Sequence, residues 1–283
     1  AKLTLNGVNG VYDNQLKGNG KLHLDGANVT LGNSNQEFGG NISFANDGRL
    51  NVTAPASNTI GTAGVDTDNG TLAISSNGNL TLENEVTGSG VLDINAQSNY
   101  AILTNADNFT GTLKLAQTKL EGAKNINAID AAKLELANDS ELIVKSGGQK
   151  VDSLKVDGTS KLVFCDAFAP GSEYGGKLET QNGITLDAGA TVVADRASVE
   201  STKPTDAGDN RNLLDQDEGV NAVTLAKGNT TATAGTVTLK DKAGNVISNA
   251  VETVVQSNGV DVADAIYDYS VNGGADGLKV GYQ

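Results

Sequence analysis

The chain has 283 residues with 35 Gly, 3 Pro, no Met, no Trp and 4% aromatics, too few large rings for a globular core of that size, while 38% hydrophobic residues argue against a disordered chain. The formal net charge of −14 opposes nucleic acid phosphates or anionic lipid as the main partner. The single cysteine, Cys165, excludes an intrachain disulfide and a cysteine zinc cluster.

The chain enters directly on a strand pattern, Lys2-Leu3-Thr4-Leu5, with no charged-then-apolar leader, and is expected to be a segment of a longer protein. Short alternating runs then recur: Leu22-His23-Leu24, Ile42-Ser43-Phe44, Leu72-Ala73-Ile74, Leu92-Asp93-Ile94, Leu113-Lys114-Leu115, Leu134-Glu135-Leu136 and Leu154-Lys155-Val156. From Leu3 onward their first residues lie 19, 20, 30, 20, 21, 21 and 20 apart. A second run often follows eight residues after the first, as Leu50 follows Ile42, Leu80 follows Leu72 and Leu142 follows Leu134. Turn formers sit between, such as Asn46-Asp47-Gly48, Ser76-Asn77-Gly78 and Asn138-Asp139-Ser140.

Alternation makes one face of each strand apolar and the other polar. Two strands eight residues apart, recurring about every 20, form two sides of a coil and imply a third. The expected fold is all-β: a right-handed single-stranded parallel β-helix, about 20 residues per coil, whose interior is shared between stacked coils. A β-sandwich also has short strands, but does not hold such a repeat in register over six intervals. Segments 18–24 and 37–44 are echoed by 88–94 and 108–115, which points to an internal duplication.

The 30-residue interval, containing residues 54–70, reads as a loop projecting from one corner. Regular coils are expected over 1–190, an acidic loop excursion over 191–222, and looser coils with a closing strand pair over 223–283, all in one continuous domain. The closing pair is Ile266-Tyr267-Asp268-Tyr269-Ser270-Val271 with Leu278-Lys279-Val280-Gly281-Tyr282, around a Gly-rich turn.

Gly-x-Gly-x-Leu-x-Leu followed about one coil later by Phe-x-Gly-x-Leu-x-Leu resembles passenger domains of the autotransporters, type V secreted proteins of Gram-negative bacteria. The Tyr267-Asp268-Tyr269 and Asp276-Gly277-Leu278-Lys279-Val280-Gly281-Tyr282 segments are similar to the closing part of adhesin-type passengers. The resemblance covers most of residues 1–190 and the final strand pair. It implies export through both membranes, display on the cell surface, and outer-membrane anchoring by a C-terminal β-barrel of which this chain contains no strands.

Chemistry is sparse. The only histidine, His23, alternates with Leu22 and Leu24 and should point outward without a catalytic role. Motifs for nucleophilic hydrolases, P-loops, dinucleotides and zinc are missing, so no catalytic residue, cofactor or metal is assigned. Asp66-Thr67-Asp68-Asn69-Gly70 begins like a calcium loop, but Asn77 stands where the bidentate Glu belongs. The binding candidates are loop residues: Asp195, Arg196, Asp206, Asp209, Arg211, Asp215, Asp217 and Glu218, whose acidic members could also supply oxygen ligands to calcium. The resulting expectation is a non-enzymatic surface adhesin segment. Its partner is a host glycan or matrix protein, or the same protein on a neighbouring cell. A spacer without ligand and a polysaccharide-degrading β-helix stay open as alternatives.

Overall fold

Leu, Ile and Val at alternate positions, with Thr, Asn, Lys and Asp between them, can bury one face of a strand and hydrate the other. The computed structural model describes residues 1–144, 149–164, 178–194, 221–232, 236–240, 244–246, 250–257 and 260–282, and its strands fall on these runs. The chain divides into two compact units, residues 1–142 with 150–154 and residues 143–149 with 155–283.

The first unit begins with β1 (Lys2–Asn6), β2 (Asn9–Tyr12), β3 (Lys21–Asp25), β4 (Asn28–Leu31), β5 (Asn41–Ala45) and β6 (Gly48–Thr53). A single helical turn, α1 (Ala56–Thr59), precedes β7 (Gly64–Asp66), β8 (Gly70–Ser75), β9 (Leu80–Leu82) and β10 (Val86–Thr87). The long strands β11 (Val91–Leu103) and β12 (Thr112–Glu121) and then β13 (Lys133–Ala137) follow. Hydrogen bonding orders them β1-β3-β5-β7-β10 on one side and β2-β4-β6-β8-β11-β12-β13 on the next, all parallel. A third side forms where β9 and the second halves of β11 and β12 pair, Leu80 with Ala101 and Ala101 with Leu120. This is a parallel β-solenoid.

Register explains the interior. On the first side Leu3, Leu22, Ile42, Val65 and Val86 stack rung upon rung. On the second the column is Leu50, Leu72, Leu92, Leu113 and Leu134. From Leu22 and Leu50 onward these side chains are buried, each stabilising the stack by about 1.5–3 kcal/mol. Leu3 and Leu5, paired with one neighbouring coil only, are half-buried.

The 30-residue interval is corrected by this register. Ile42 pairs with Val65, whereas Leu72 pairs with Leu50, so the recurring runs cross from the first side to the second between them. Residues 54–70 do not project as a corner loop. Ala56, Ile60, Ala63, Val65 and Thr67 are all buried, and β7 is a rung of the first sheet. The echo after 70 residues is displaced likewise: Leu22 lies on the first side and Leu92 on the second, so the two copies do not superpose side for side.

What the echoed motifs share is a corner. Phe38 and Phe109 are buried and bridge Gly18 and Gly88 of the preceding coil. Two residues after each Phe, Gly40 and Gly111 pass so close to the coil before that a Cβ would collide with the carbonyl oxygens of Gly20 and Gly90. Those oxygens accept the Asn41 and Thr112 N–H groups at 3.1 and 2.9 Å, so the approach is part of the coil-to-coil pairing.

Other corners are closed by polar side chains. Asn46-Asp47 and Asn138-Asp139 adopt left-handed backbone, with φ of 49° and 57°, and of 49° and 62°. Buried Asn35 accepts the Leu16 N–H at 2.7 Å and donates to Thr59 O at 2.8 Å, joining three successive coils. Buried Asn125 accepts the Leu103 N–H at 2.7 Å and donates to Glu121 O at 2.8 Å. Each satisfies backbone groups that strand pairing cannot reach where the chain turns.

Next in the chain are β14 (Glu141–Val144), β15 (Gln149–Val151) and β16 (Ser153–Val156), whose residues are divided between the two units, and then, in the second unit, β17 (Lys161–Phe164), β18 (Leu178–Thr180), β19 (Ile184–Leu186) and β20 (Thr191–Val193). Then come β21 (Asn221–Lys227), β22 (Thr230–Thr231), β23 (Thr238–Lys240), β24 (Ala250–Ser257), β25 (Val260–Gly274) and β26 (Gly277–Tyr282). Parallel stacking persists: Leu162, Val192 and Leu239 form one column, and Ile184 pairs with Thr230. The end departs from it. β25 and β26 form the expected closing hairpin around Gly274 and Gly277, and β24 and β21 pair antiparallel on either flank. The hairpin covers the backbone edge of β21.

Two stability predictions follow from the corners. Gly40→Ala and Gly111→Ala should each cost about 1–3 kcal/mol in denaturant unfolding. Gly78→Ala, with nothing near its Cβ, should be neutral or stabilise by up to about 1 kcal/mol. Asn125→Leu, which strands a buried N–H and carbonyl, should lower stability by about 2 kcal/mol or more despite its added apolar surface; an unchanged unfolding midpoint would contradict the role given to these amides.

Candidate functional site

Outward positions on the two sheets of the first unit form ladders. On the first side Thr4, His23 and Ser43 are successive rungs, with Nδ1 of His23 and Oγ of Ser43 sharing a hydrogen bond of 2.7 Å. His23 thus points outward as expected. On the second side the rungs are Thr30, Asn51, Ala73, Asp93, Lys114 and Glu135. Arg49 reaches across the Ala73 rung to pair with Asp93 at 3.2 Å. Asn51 donates to Asn28 Oδ1 at 2.8 Å, so side chains as well as backbones join neighbouring coils. The face is polar, with short and long side chains mixed along it.

Asp66 and Asp68 do not open a calcium loop. Asp66 Oδ1 accepts the Asp68 N–H at 3.0 Å, and β8 then runs extended between Gly70 and the turn that holds Asn77. Asp68 Oδ1 accepts both the N–H and the Oγ–H of Ser89 on the next coil, at 2.7 and 2.9 Å. Those two donors hold the Asp68 carboxyl below the ordinary carboxylate range. Among the described residues no three His, Cys, Asp or Glu side chains are grouped to hold a metal ion.

The loop candidates Asp195, Arg196, Asp206, Asp209, Arg211, Asp215, Asp217 and Glu218 lie outside the described residues, as does Cys165. Instead the structure brings together residues that periodicity did not single out. A polar trough of about 370 Å³ lies on the first unit, at the corner leading from the third side into the first sheet. Gly39, Gly40, Gly61 and Gly64 leave its floor without side chains, and Thr62, Glu83, Glu85 and Asn105 rise around it. A shallower depression shares Asn41, Gly64 and Glu85 and continues across the first sheet to Lys21 and Ser43.

The walls are held in place by Asn84. It is buried and donates through Nδ2 to the carbonyls of Gly61 and Ala63, at 3.1 and 2.8 Å, one coil away. Its neighbours Glu83 and Glu85 alternate with it and are exposed. The trough therefore offers two carboxylates, carboxamides and hydroxyls as hydrogen-bonding groups, with little apolar surface to hold a nonpolar ligand. Its sequence signal is legible once the register is known: Gly40 directly precedes one rung, Gly64 begins the next, and an acidic Glu-x-Glu follows one coil later.

No family model matches the chain, and no solved structure matches it. It is 27% identical over 285 residues to a protein described as uncharacterized protein YuaQ of Escherichia coli strain K12, an alignment covering 94% of this chain and 20% of that protein. The chain thus spans about a fifth of the length of the curated relative it matches.

Proposed function

We propose that this chain is an adhesive segment of a bacterial cell-surface passenger of the autotransporter type, acting by contact and without catalysis. The observation behind this reading is the pair of outward ladders: arrays of Thr, Asn, Ser, Asp and Lys repeating at the strand spacing of about 4.8 Å. Each rung offers only weak hydrogen bonds or exposed charges, but contacts repeated along one rigid face add without further ordering cost. The partner in this reading is a host glycan or matrix protein, or the same face on a neighbouring cell. Outer-membrane attachment would come from a β-barrel elsewhere in a longer protein.

Display on non-aggregating bacteria tests it. Cells carrying the chain should adhere to host cells or to one another. A variant with Thr4→Glu and Thr30→Glu, one on each ladder, should lose at least half of that adhesion with an unchanged unfolding midpoint. A length-matched foreign solenoid should not replace the chain. Equal adhesion with the foreign solenoid would reduce the chain to a spacer.

A further inference from the structure

We infer that the glycine-floored trough of the first unit binds an uncharged, hydroxyl-rich polysaccharide strand lying along the stacking direction. This deepens the adhesive reading and rests on it.

Gly64 carries the inference furthest. It is the first residue of β7 and a rung in the outward column Lys2, Lys21, Asn41, Gly64, where every other member has a polar side chain. Gly40 and Gly61 are glycines for backbone reasons, because a Cβ at either would strike a carbonyl of a neighbouring coil. Nothing of that kind acts at Gly64. Its backbone is not left-handed, its pairing with Asn41 shows no bulge, and an added Cβ would meet only Asn41 Oδ1, at 3.2 Å. A strand glycine without a bulge or a close backbone marks a place kept open for something else to approach.

Hydrogen-bonding chemistry selects what approaches. Glu83 and Glu85 stand exposed on one wall, on either side of Asn84, whose buried amide ties that stretch of backbone to the coil before, and their carboxylates can accept hydrogen bonds from hydroxyl donors. Asn41 and Thr62 add groups that both donate and accept. The carboxylates, in a chain of net charge −14, repel uronates, sulfates and sialic acids. The trough and the neighbouring depression toward Lys21 share Asn41, Gly64 and Glu85, so together they span several rungs and suit a polymer better than a single ring.

The test is titration of the whole chain with maltohexaose, cellohexaose and chitohexaose, with oligogalacturonate and calcium chloride as controls. At least one uncharged hexamer should bind, and oligogalacturonate should not. Gly64→Thr, β-branched and compatible with the strand, should weaken binding at least tenfold while the unfolding midpoint holds or rises. Glu83→Gln with Glu85→Gln, both exposed, should admit oligogalacturonate. Failure of all three uncharged hexamers, full binding by Gly64→Thr, or calcium binding alone would overturn the inference. Adhesion by displayed wild-type and Gly64→Thr cells alike would remove this site and leave the adhesive reading intact. Non-adherent wild-type cells whose purified chain still binds sugar would do the reverse.

Discussion

A coil of this solenoid cannot bury its own apolar face, so every rung depends on the pairing of backbones with the coil before and after it. Parallel pairing at about 4.8 Å places like positions directly over one another, which makes the interior a set of columns. Leu72 is buried because Leu50 and Leu92 lie on either side of it. The same spacing leaves no room for side chains where corners converge, hence the glycines at 40, 90 and 111, and no water for turning backbone, hence the buried amides of Asn35, Asn84 and Asn125. Apolar columns, corner glycines and polar staples are three consequences of one distance.

Strand positions were legible because alternation survives in single rungs such as Leu22-His23-Leu24 and Leu113-Lys114-Leu115. Their assignment to sides was not. Ile42, Leu50, Leu72 and Leu92 all look alike, and a period of about 20 cannot say which belongs to which column. Only hydrogen bonding tells that Ile42 continues to Val65, in a strand of three residues with a glycine at its head, too short to show alternation. The apparent insertion arose from that missed rung. The inward small residues Ala56 and Ala63 hid the rest, since alanines at a corner carry no period.

The trough was hidden for a related reason. Gly40, Gly64 and Glu85 are far apart in sequence and become neighbours only through register. By contrast, the acidic stretch 195–218 stands out in the sequence because its charges are clustered along the chain. In a solenoid, adjacency along the chain is a poor guide to adjacency on the surface, where the nearest outward neighbour is about one coil away, in coils of 19 to 23 residues in the first unit.

Inward and outward positions of a rung answer to different constraints, and that separation gives the surface its information. Inward residues are dictated by the columns, so Leu, Ile and Val there say nothing about partners. Outward residues are released from packing, and most serve solubility or join coils, as Asp68 does through Ser89 and Arg49 through Asp93. Departures that neither task explains are then the ones to interpret. Gly64 is such a departure: a missing side chain in a ladder of polar ones, beside two glutamates that flank an amide buried for structural reasons. The corner that keeps the coils together thus positions the walls of the trough, so the geometry of recognition is inherited from the geometry of stacking.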